Sequence, residues 1–246
     1  MKTSAAILVI GDEILSGRTK EANIGFIAPK LFSLGIDLQE ARIIGDDIAN
    51  IAAVLRAWHK SYDYIFTSGG IGPTHDDKTA EAVALAFDLP LSLHPIAAAR
   101  LQQHYQPADL NEARMKMAHT PHGAILIDNP VSIAPGFIVK NVFTLPGVPK
   151  ILQAMWDFVE PQLQGGEPKQ AVTITTDLGE GIFATPLGEI ANNFPELSIG
   201  SYPYFRLGTS GVSLVVRGTD TVKIAEAVEK ITLMLKKLHG SATIIQ

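Results

Sequence analysis

Apolar residues in the first two thirds of the chain alternate between short continuous runs and stretches with helical spacing. Residues 5–10 form a continuous apolar run that ends at Gly11, a pattern typical of a strand buried on both faces. Across residues 23–32 the apolar positions recur every three or four residues, which predicts a helix. Strands that alternate with helices of this length favour βαβ units. We therefore predict an α/β fold with a mostly parallel sheet flanked by helices.

The same pattern predicts the remaining elements up to residue 163. Strands are predicted at 36–44, 64–67, 124–127, 137–139 and 142–145, and helices at 48–58, 79–87 and 150–163. No element is assigned between residues 88 and 123.

The pattern changes after Gln164-Gly165-Gly166-Glu167-Pro168, which has the composition of a linker. Beyond it, strand and helix patterns follow in the order β-α-β-β-α-β, which is typical of a small ferredoxin-like α+β subdomain. We predict two domains, a nucleotide- or phosphate-binding domain at 1–166 and this subdomain at 167–246. The strands of the subdomain are predicted at 172–176, 197–202, 211–217 and 242–245, and its helices at 181–193 and 222–238.

Charge and cysteine content exclude several classes of protein. Across 246 residues the net charge is −5 and lysine and arginine form no concentrated patch, which argues against a nucleic-acid partner. Cysteine is absent, which excludes disulfides, a thiolate nucleophile and a cysteine-based zinc site. No apolar stretch approaches the roughly 20 residues of a transmembrane helix, and no cleavable signal pattern appears. We expect a cytoplasmic protein without a membrane partner.

The strongest chemical signal is the segment 67–79, TSGGIGPTHDDKT, which directly follows a predicted strand. Glycines at 69, 70 and 72 allow a tight bend that brings backbone N–H groups close to an anion. Ser68 and Thr74 add hydroxyl donors, His75 is a possible phosphate donor or acid, and the following helix presents its positive end. This composition predicts a phosphate-binding loop. The alternative is a glycine turn in which an aspartate or threonine caps the helix.

Carboxylates follow the glycines in this loop, and similar acids follow two other strands. Asp76 and Asp77 repel phosphate unless a cation lies between them, which favours a Mg²⁺-type ion held by a carboxylate and the substrate phosphates. Glu13 belongs to the loop after the first strand, and Asp46 and Asp47 follow the second. Either Asp46 or Asp47 could instead cap the next helix. Loops at the carboxyl ends of parallel strands meet at one sheet edge, so we expect these acids to converge there.

Three motifs together resemble a known family: GDEILSG at 11–17, GGIGPTHDD at 69–77 and LPGVP at 145–149. They look like the molybdopterin-binding domain of the molybdenum-cofactor biosynthesis superfamily. The CinA-like branch, named after competence/damage-inducible proteins, is the more similar one, and it is itself similar to a region of eukaryotic FAD synthase. Shorter matches to this branch are NEAR at 111–114, MA at 117–118, Asn129, APGF at 134–137 and SYP at 201–203.

The resemblance implies a role for individual residues. Gly69, Gly70 and Gly72 resemble the glycines that cradle phosphate, and the Pro146-Gly147 turn resembles one that helps to form the pterin or nucleotide pocket. Asp77, Asp46 and Glu13 match functional acids of the family and are expected to serve as catalytic groups and metal ligands. The metal would be Mg²⁺ or Co²⁺. Related domains assemble as dimers or trimers, so a homo-oligomer is expected.

The function that this resemblance favours is a metal-dependent nucleotide pyrophosphatase. It would hydrolyse ADP-ribose or FAD and release AMP, with a carboxylate activating the water. The alternatives are a molybdopterin adenylyltransferase, which needs the same phosphate loop, and a non-catalytic pterin or nucleotide binder. Arg114, Lys116, Tyr202 and Arg206 are weaker candidates for contacts to the phosphate or the base.

Overall fold

The computed structural model describes residues 3–206 and 209–245, apart from the side chains of Arg206 and Thr209. The chain forms two compact units, Met1–Gly166 and Glu167–Gln246. We call them the N-terminal unit and the C-terminal unit.

The elements of the N-terminal unit largely follow the predicted alternation. Its strands are β1 (Ser4–Ile10), β2 (Asp37–Ile44), β3 (Tyr64–Ser68), β4 (Leu91–Leu93), β5 (His119–Pro121), β6 (Ile125–Ile127), β7 (Gly136–Val139) and β8 (Val142–Leu145). Its helices are α1 (Asp12–Leu15), α2 (Asn23–Ser33), α3 (Ile48–Trp58), α4 (Thr79–Ala86), α5 (Pro95–His104), α6 (Glu112–Lys116) and α7 (Pro149–Val159), and a 3₁₀ turn at Glu160–Gln162 follows α7.

The main sheet has the strand order β2-β1-β3-β8-β7-β6. The pairs β1–β2, β1–β3 and β3–β8 are parallel, whereas β7 and β6 add an antiparallel edge. The predicted fold class, a mostly parallel α/β sheet with a small additional α+β region, is confirmed. Because β1, β2, β3 and β8 run in one direction, their carboxyl ends lie at the same edge of the sheet.

Helices cover both faces of this sheet. In β1, Ile7 and Val9 point into a core closed by α2 and α7, while Leu8 and Ile10 point into a second core closed by α3 and α4. All seven residues of β1 are buried. The continuous apolar run in the sequence has this cause, since neither face of the strand meets water.

Residues 88–123, which carry no predicted element, form a separate small layer. β4 and β5 make a short antiparallel pair. Helix α5 buries Ala97, Ala98 and Leu101 together with Ala118, and Tyr105, Met117 and Ala134 pack against this cluster. We call it the small apolar cluster.

The C-terminal unit contains β9 (Gln170–Thr176), α8 (Glu180–Asn192), β10 (Ser198–Arg206), β11 (Thr209–Gly218), α9 (Thr221–Lys237) and β12 (Thr243–Ile245). Its sheet has the order β10-β11-β9-β12 with antiparallel neighbours. Each β-α-β connection therefore has a strand of the other inserted between its two strands, which is the split arrangement. The helices bury Phe183 and Ile231 against Ile174 and Leu214 of the sheet.

Within residues 3–206 and 209–245, no helix combines the length and the apolar character needed to cross a bilayer.

The aromatic cluster under the main sheet should dominate the stability of the N-terminal unit. Phe66 is fully buried, with ring centroids 5.3 Å from Phe143 and 5.9 Å from Trp156. We expect Phe66→Ala to lower the free energy of unfolding by about 3–5 kcal/mol, because it leaves a cavity in a packed core. Urea denaturation followed by tryptophan fluorescence measures this loss, since both tryptophans lie in the N-terminal unit. Phe158→Ala is the control. Phe158 is 41% exposed, so a loss equal to that of Phe66→Ala would contradict the prediction.

Candidate phosphate-binding active site

The loops that follow β1, β2, β3 and β8 all leave the same edge of the sheet, and Gly69 is where three of them come together. A Cβ atom at Gly69 would overlap the carbonyl oxygen of Ile10, and one at Gly147 would lie 3.3 Å from the Cα of Gly69. Gly69 has φ +113° and Gly70 has φ +68°, backbone conformations that L-residues with side chains rarely adopt. The double glycine is therefore required both by the turn and by close packing.

The turn at residues 70–72 leaves backbone donors free. Gly69 donates to the Leu145 carbonyl, but the N–H groups of Gly70, Ile71 and Gly72 meet no acceptor within the described parts of the chain. Helix α4 begins after this turn, and in the described residues no side chain caps its first turn. Free N–H groups beside the positive end of a helix form an anion-binding site. The capped-helix alternative for this glycine turn is therefore wrong.

Thr79 anchors the turn from below. Its buried hydroxyl donates to the Gly69 carbonyl at 2.8 Å, and its N–H donates to the Gly70 carbonyl at 2.9 Å. Both carbonyls point into the protein, so the free N–H groups of the turn are left for a ligand.

Asp77 and Lys116 hold the second half of the loop. The N–H and the hydroxyl of Thr74 donate to Asp77 Oδ2 at 2.8 and 2.5 Å. A Cβ on Gly72 would lie 2.6 Å from the same oxygen, so the carboxylate rests against the glycine turn. Lys116 Nζ donates to the carbonyls of Thr74 and Asp77 at 3.0 and 2.6 Å. Lys116 therefore orients this loop by binding two of the loop's backbone carbonyls.

Asp46 and Asp47 have different roles. Asp47 is the N-cap of α3 and accepts from the Asn50 N–H at 2.8 Å. Asp46 instead accepts from the N–H of Asp12, in the loop after β1, at 2.9 Å. The structure thus settles which of the two acids caps the helix and leaves Asp46 at the sheet edge.

Acids from two neighbouring loops act electrostatically on Asp46. Partial burial is the largest cause that raises its pKa, and the negative charges of Asp12, Glu13 and Asp76 raise it further. A carboxyl with a raised pKa gains affinity for a proton, as a group that accepts one from water requires. Of the acids expected to converge at this edge, Glu13 and Asp76 therefore lie near enough to act on the Asp46 carboxyl.

The expected ligand set for a metal differs from this arrangement. Among residues 3–206 and 209–245, no group of three or more histidine or acidic side chains is placed to hold a metal ion. Glu13 folds back over Gly11, Asp46 is held by Asp12, and Asp77 is held by Thr74. Glu13, Asp46 and Asp77 therefore do not form a preassembled three-carboxylate site. The donors that are present instead fit an ion held by one or two carboxylates, with water and substrate phosphates completing its shell.

Ser68 and Gly147 are tied together from α2. The side-chain amide of Asn23 donates to the Ser68 hydroxyl at 2.7 Å and to the Gly147 carbonyl at 2.9 Å. Ser68 and Asn23 are both buried. Ser68, expected as a phosphate donor, is thus buried and accepts from Asn23, the side chain that positions the Pro146-Gly147 turn.

A cleft of about 600 Å³ opens beside the glycine turn. Its size is in the range of pockets for nucleotide-sized ligands. The predicted site residues that line it are Glu13, Gly69, Gly70, Gly72, Asp77, Pro146 and Gly147. Those that do not are Asp46, Ser68, Thr74, His75 and Asp76. Of these, His75 and Asp76 are exposed on the outer part of the loop.

The apolar part of the cleft was missed by sequence reasoning. Tyr105, Met117 and Ala134 line it and also pack on the small apolar cluster. Met117 and Ala134 belong to the short family matches, which was the only signal for this wall. Asn129, another such match, also lines the cleft, and it closes a turn in which it donates to the Ser132 hydroxyl at 2.7 Å.

The remaining weaker candidates are placed as follows. The guanidinium of Arg114 lies 4.3 Å from the ring centroid of Tyr105. Tyr202 belongs to the C-terminal unit, where its hydroxyl accepts from Arg217 at 3.0 Å. The side chain of Arg206 lies outside the described residues.

Comparison with known proteins follows the same division of the chain. The model of a probable molybdopterin binding domain matches residues 6–165, nearly the whole N-terminal unit. The chain belongs to this family. A solved structure of the CinA protein from Thermoplasma acidophilum is 36% identical, with a TM-score of 0.62, and covers 65% of this chain and 97% of its own. The resemblance to the CinA-like branch is thereby confirmed.

The C-terminal unit of this family member has its own match. The model of the FAD synthase middle domain matches residues 169–240. Probable FAD synthases of Caenorhabditis briggsae and Caenorhabditis elegans are 32% and 34% identical over 96% and 97% of this chain. The chain spans about half the length of these two relatives. A protein of Archaeoglobus fulgidus is 31% identical over 93% of this chain and 96% of its own length.

A substitution at Gly69 tests how closely the loops pack. We expect Gly69→Ala to destabilise the N-terminal unit by at least ~2 kcal/mol, because its Cβ would meet a backbone carbonyl that cannot move aside. Gly17→Ala is the matched control, since Gly17 also has a positive φ (+73°) but open space around it. Its cost should be about 1 kcal/mol, from backbone strain alone. Equal losses in urea denaturation of the two variants would show that the packing at Gly69 is unimportant.

The negative charge of Asp46 should lower the free energy of unfolding at neutral pH. Its raised pKa means that the folded chain binds the proton more tightly than the unfolded chain, so stability falls as pH rises above the ordinary carboxyl pKa of ~3.9. Asp46→Asn keeps an acceptor for the Asp12 N–H and removes the charge. We expect it to be more stable than the wild type by up to ~1 kcal/mol at neutral pH, the scale of exposed charge pairs.

At pH about 3 the gain should vanish, because Asp46 is then protonated in both states. Urea denaturation at both pH values makes the comparison. A variant that is less stable at neutral pH would mean that the charge of Asp46 is favourably compensated.

Proposed function

We propose that this chain is a nucleotide pyrophosphatase that hydrolyses the diphosphate linkage of ADP-ribose or FAD and releases AMP. The observation that carries the proposal is the turn at residues 70–72, whose unpartnered N–H groups face a nucleotide-sized cleft at an acidic sheet edge. Relatives named as probable FAD synthases support a substrate that contains an adenylate.

The glycine turn would hold the diphosphate through the N–H groups of Gly70, Ile71 and Gly72. A divalent ion, Mg²⁺ or Co²⁺, would be held by Glu13, which lines the cleft, and would offset charge on the phosphates. Asp77 and Lys116 act on the loop itself, since their polar contacts within the protein are to Thr74, to Asp77 and to Glu81. Their role is to keep the turn in shape.

The reaction is a displacement at phosphorus. The oxygen of a water molecule attacks the phosphorus of the adenylate or its neighbour, a new P–O bond forms, and the bond to the bridging oxygen breaks. With FAD the products are AMP and FMN, and with ADP-ribose they are AMP and ribose 5-phosphate. Asp46 accepts the proton of the water, which is the function that its raised pKa supports.

A non-catalytic binder of a nucleotide or pterin is the second candidate. It is favoured by one observation, the lack of a preassembled three-carboxylate ligand set in the described residues. A molybdopterin adenylyltransferase would use the same glycine turn. It is distinguished by turnover of ATP that depends on added molybdopterin.

The neighbouring acids Asp46 and Asp47 provide a matched test. We incubate the protein with ADP-ribose, FAD or ATP, each with Mg²⁺ or Co²⁺, and measure AMP by chromatography. Asp46→Asn should reduce kcat by roughly 10²–10⁴-fold, the usual contribution of a general base. Asp47→Asn should leave kcat unchanged, because asparagine is as good an N-cap as aspartate.

Three outcomes count against the pyrophosphatase. Equal losses in the two variants would remove Asp46 from the chemistry. Tight binding of AMP without turnover under either metal would establish the binder. Release of AMP only from ATP in the presence of molybdopterin would establish the adenylyltransferase.

A further inference from the structure

The cleft is lined by two chemically different groups of residues. The glycine turn, Glu13, Thr19 and Asp77 are polar. The other group consists of aromatic, thioether and aliphatic side chains, those of Tyr105, Met117, Ala134, Val148 and Ile151. A ligand that carries both an anionic group and an apolar group would match this lining.

Tyr105 is the one aromatic side chain in the lining. It follows α5 directly, and its N–H donates to the Leu101 carbonyl at 3.0 Å. Its side chain is half-buried and packs on the small apolar cluster, which fixes its position. The rest of the ring lines the cleft.

Two neighbours fix the plane of this ring. Arg114 lies over one face, with its guanidinium carbon 4.3 Å from the ring centroid, and donates to the Asp109 carbonyl. His104 meets the ring edge-on, at 4.9 Å between centroids and 82° between planes. Asn111 caps α6 by accepting from the Arg114 N–H at 2.9 Å, which holds the arginine in turn. The ring is thus oriented before any ligand binds.

We infer that Tyr105, held in place by Arg114, is the stacking platform for the planar ring of the ligand, and so selects nucleotides over simple phosphate esters. The inference rests on the proposed function, in that the glycine turn binds the phosphate of the same ligand. A flat ring that is fixed in advance loses little freedom on binding, and stacking on an aromatic side chain contributes ~1–3 kcal/mol per base. Arg114 is a positioning residue that acts through Tyr105.

Calorimetric titrations with AMP and with ribose 5-phosphate separate the ring from the phosphate. For Tyr105→Leu we expect the Kd of AMP to rise about 5- to 150-fold, which is the stacking contribution expressed as affinity. The Kd of ribose 5-phosphate should change by less than about twofold, because it lacks a ring to stack. Tyr105→Phe should bind AMP like the wild type, since it keeps the aromatic face.

Phe158→Leu is the matched control, because Phe158 is an aromatic side chain of the same unit that lines a different cavity. It should leave both Kd values unchanged. Arg114→Gln should weaken AMP binding less than Tyr105→Leu does. When Arg114→Gln is combined with Tyr105→Leu, the Kd of AMP should be the same as for Tyr105→Leu alone, because the ring through which Arg114 acts is already absent.

The inference is overturned if Tyr105→Leu weakens AMP and ribose 5-phosphate equally, or leaves AMP unaffected. It is also overturned if the wild type binds neither AMP nor ribose 5-phosphate. Failure of the pyrophosphatase proposal looks different, since AMP would then bind with the expected selectivity while no substrate is hydrolysed.

Discussion

The contact between Gly69 and the carbonyl of Ile10 is the constraint on which the rest of the site depends. It can form only because residue 69 has no side chain and a positive φ. The contact brings the end of β1 against the end of β3, and Gly147, from the end of β8, packs against the Cα of Gly69. Three loops thus reach one point without any side chain between them. The N–H groups of the turn become available to a ligand as a direct result.

The acidic side chains at this edge of the sheet lower the stability of the folded state. Partial burial raises the pKa of Asp46, and the carboxylates of Asp12, Glu13 and Asp76 raise it further, so these charges repel one another at neutral pH. A protein under selection for stability alone would not gather these charges. Hydrogen bonds to the backbone, such as that from Asp12 to Asp46, keep the acids in place despite their repulsion. A bound cation and a bound phosphate would relieve this repulsion together, since each offsets the charge that the other leaves.

Sequence patterns predicted the sheet well because its inner strands β1, β3, β7 and β8 are almost entirely buried and therefore read as continuous apolar runs. They failed between residues 88 and 123 for a physical reason. β4 and β5 are only three residues long, and α5 buries small alanines rather than a strong apolar stripe. The glycine turn was also predictable, because a positive φ after a strand leaves few alternatives to glycine. The orientation of each carboxylate could not be predicted from the sequence. Asp76 and Asp77 are adjacent in sequence, but Asp77 Oδ2 accepts from both the N–H and the hydroxyl of Thr74 and rests against Gly72, whereas the charge of Asp76 acts on Asp46.

The segment that sequence patterns missed is the one that distinguishes the cleft chemically. A glycine turn would bind a phosphate group but would not distinguish what is attached to it, because a phosphate group is common to all nucleotides. Discrimination must come from a surface that meets the rest of the ligand, and the small apolar cluster supplies that surface through Tyr105 and Met117. Lys116, on α6 and next to Met117, reaches back to the carbonyls of the phosphate loop. The wall that would meet the ring and the lysine that orients the phosphate loop therefore belong to neighbouring residues at the end of one short helix.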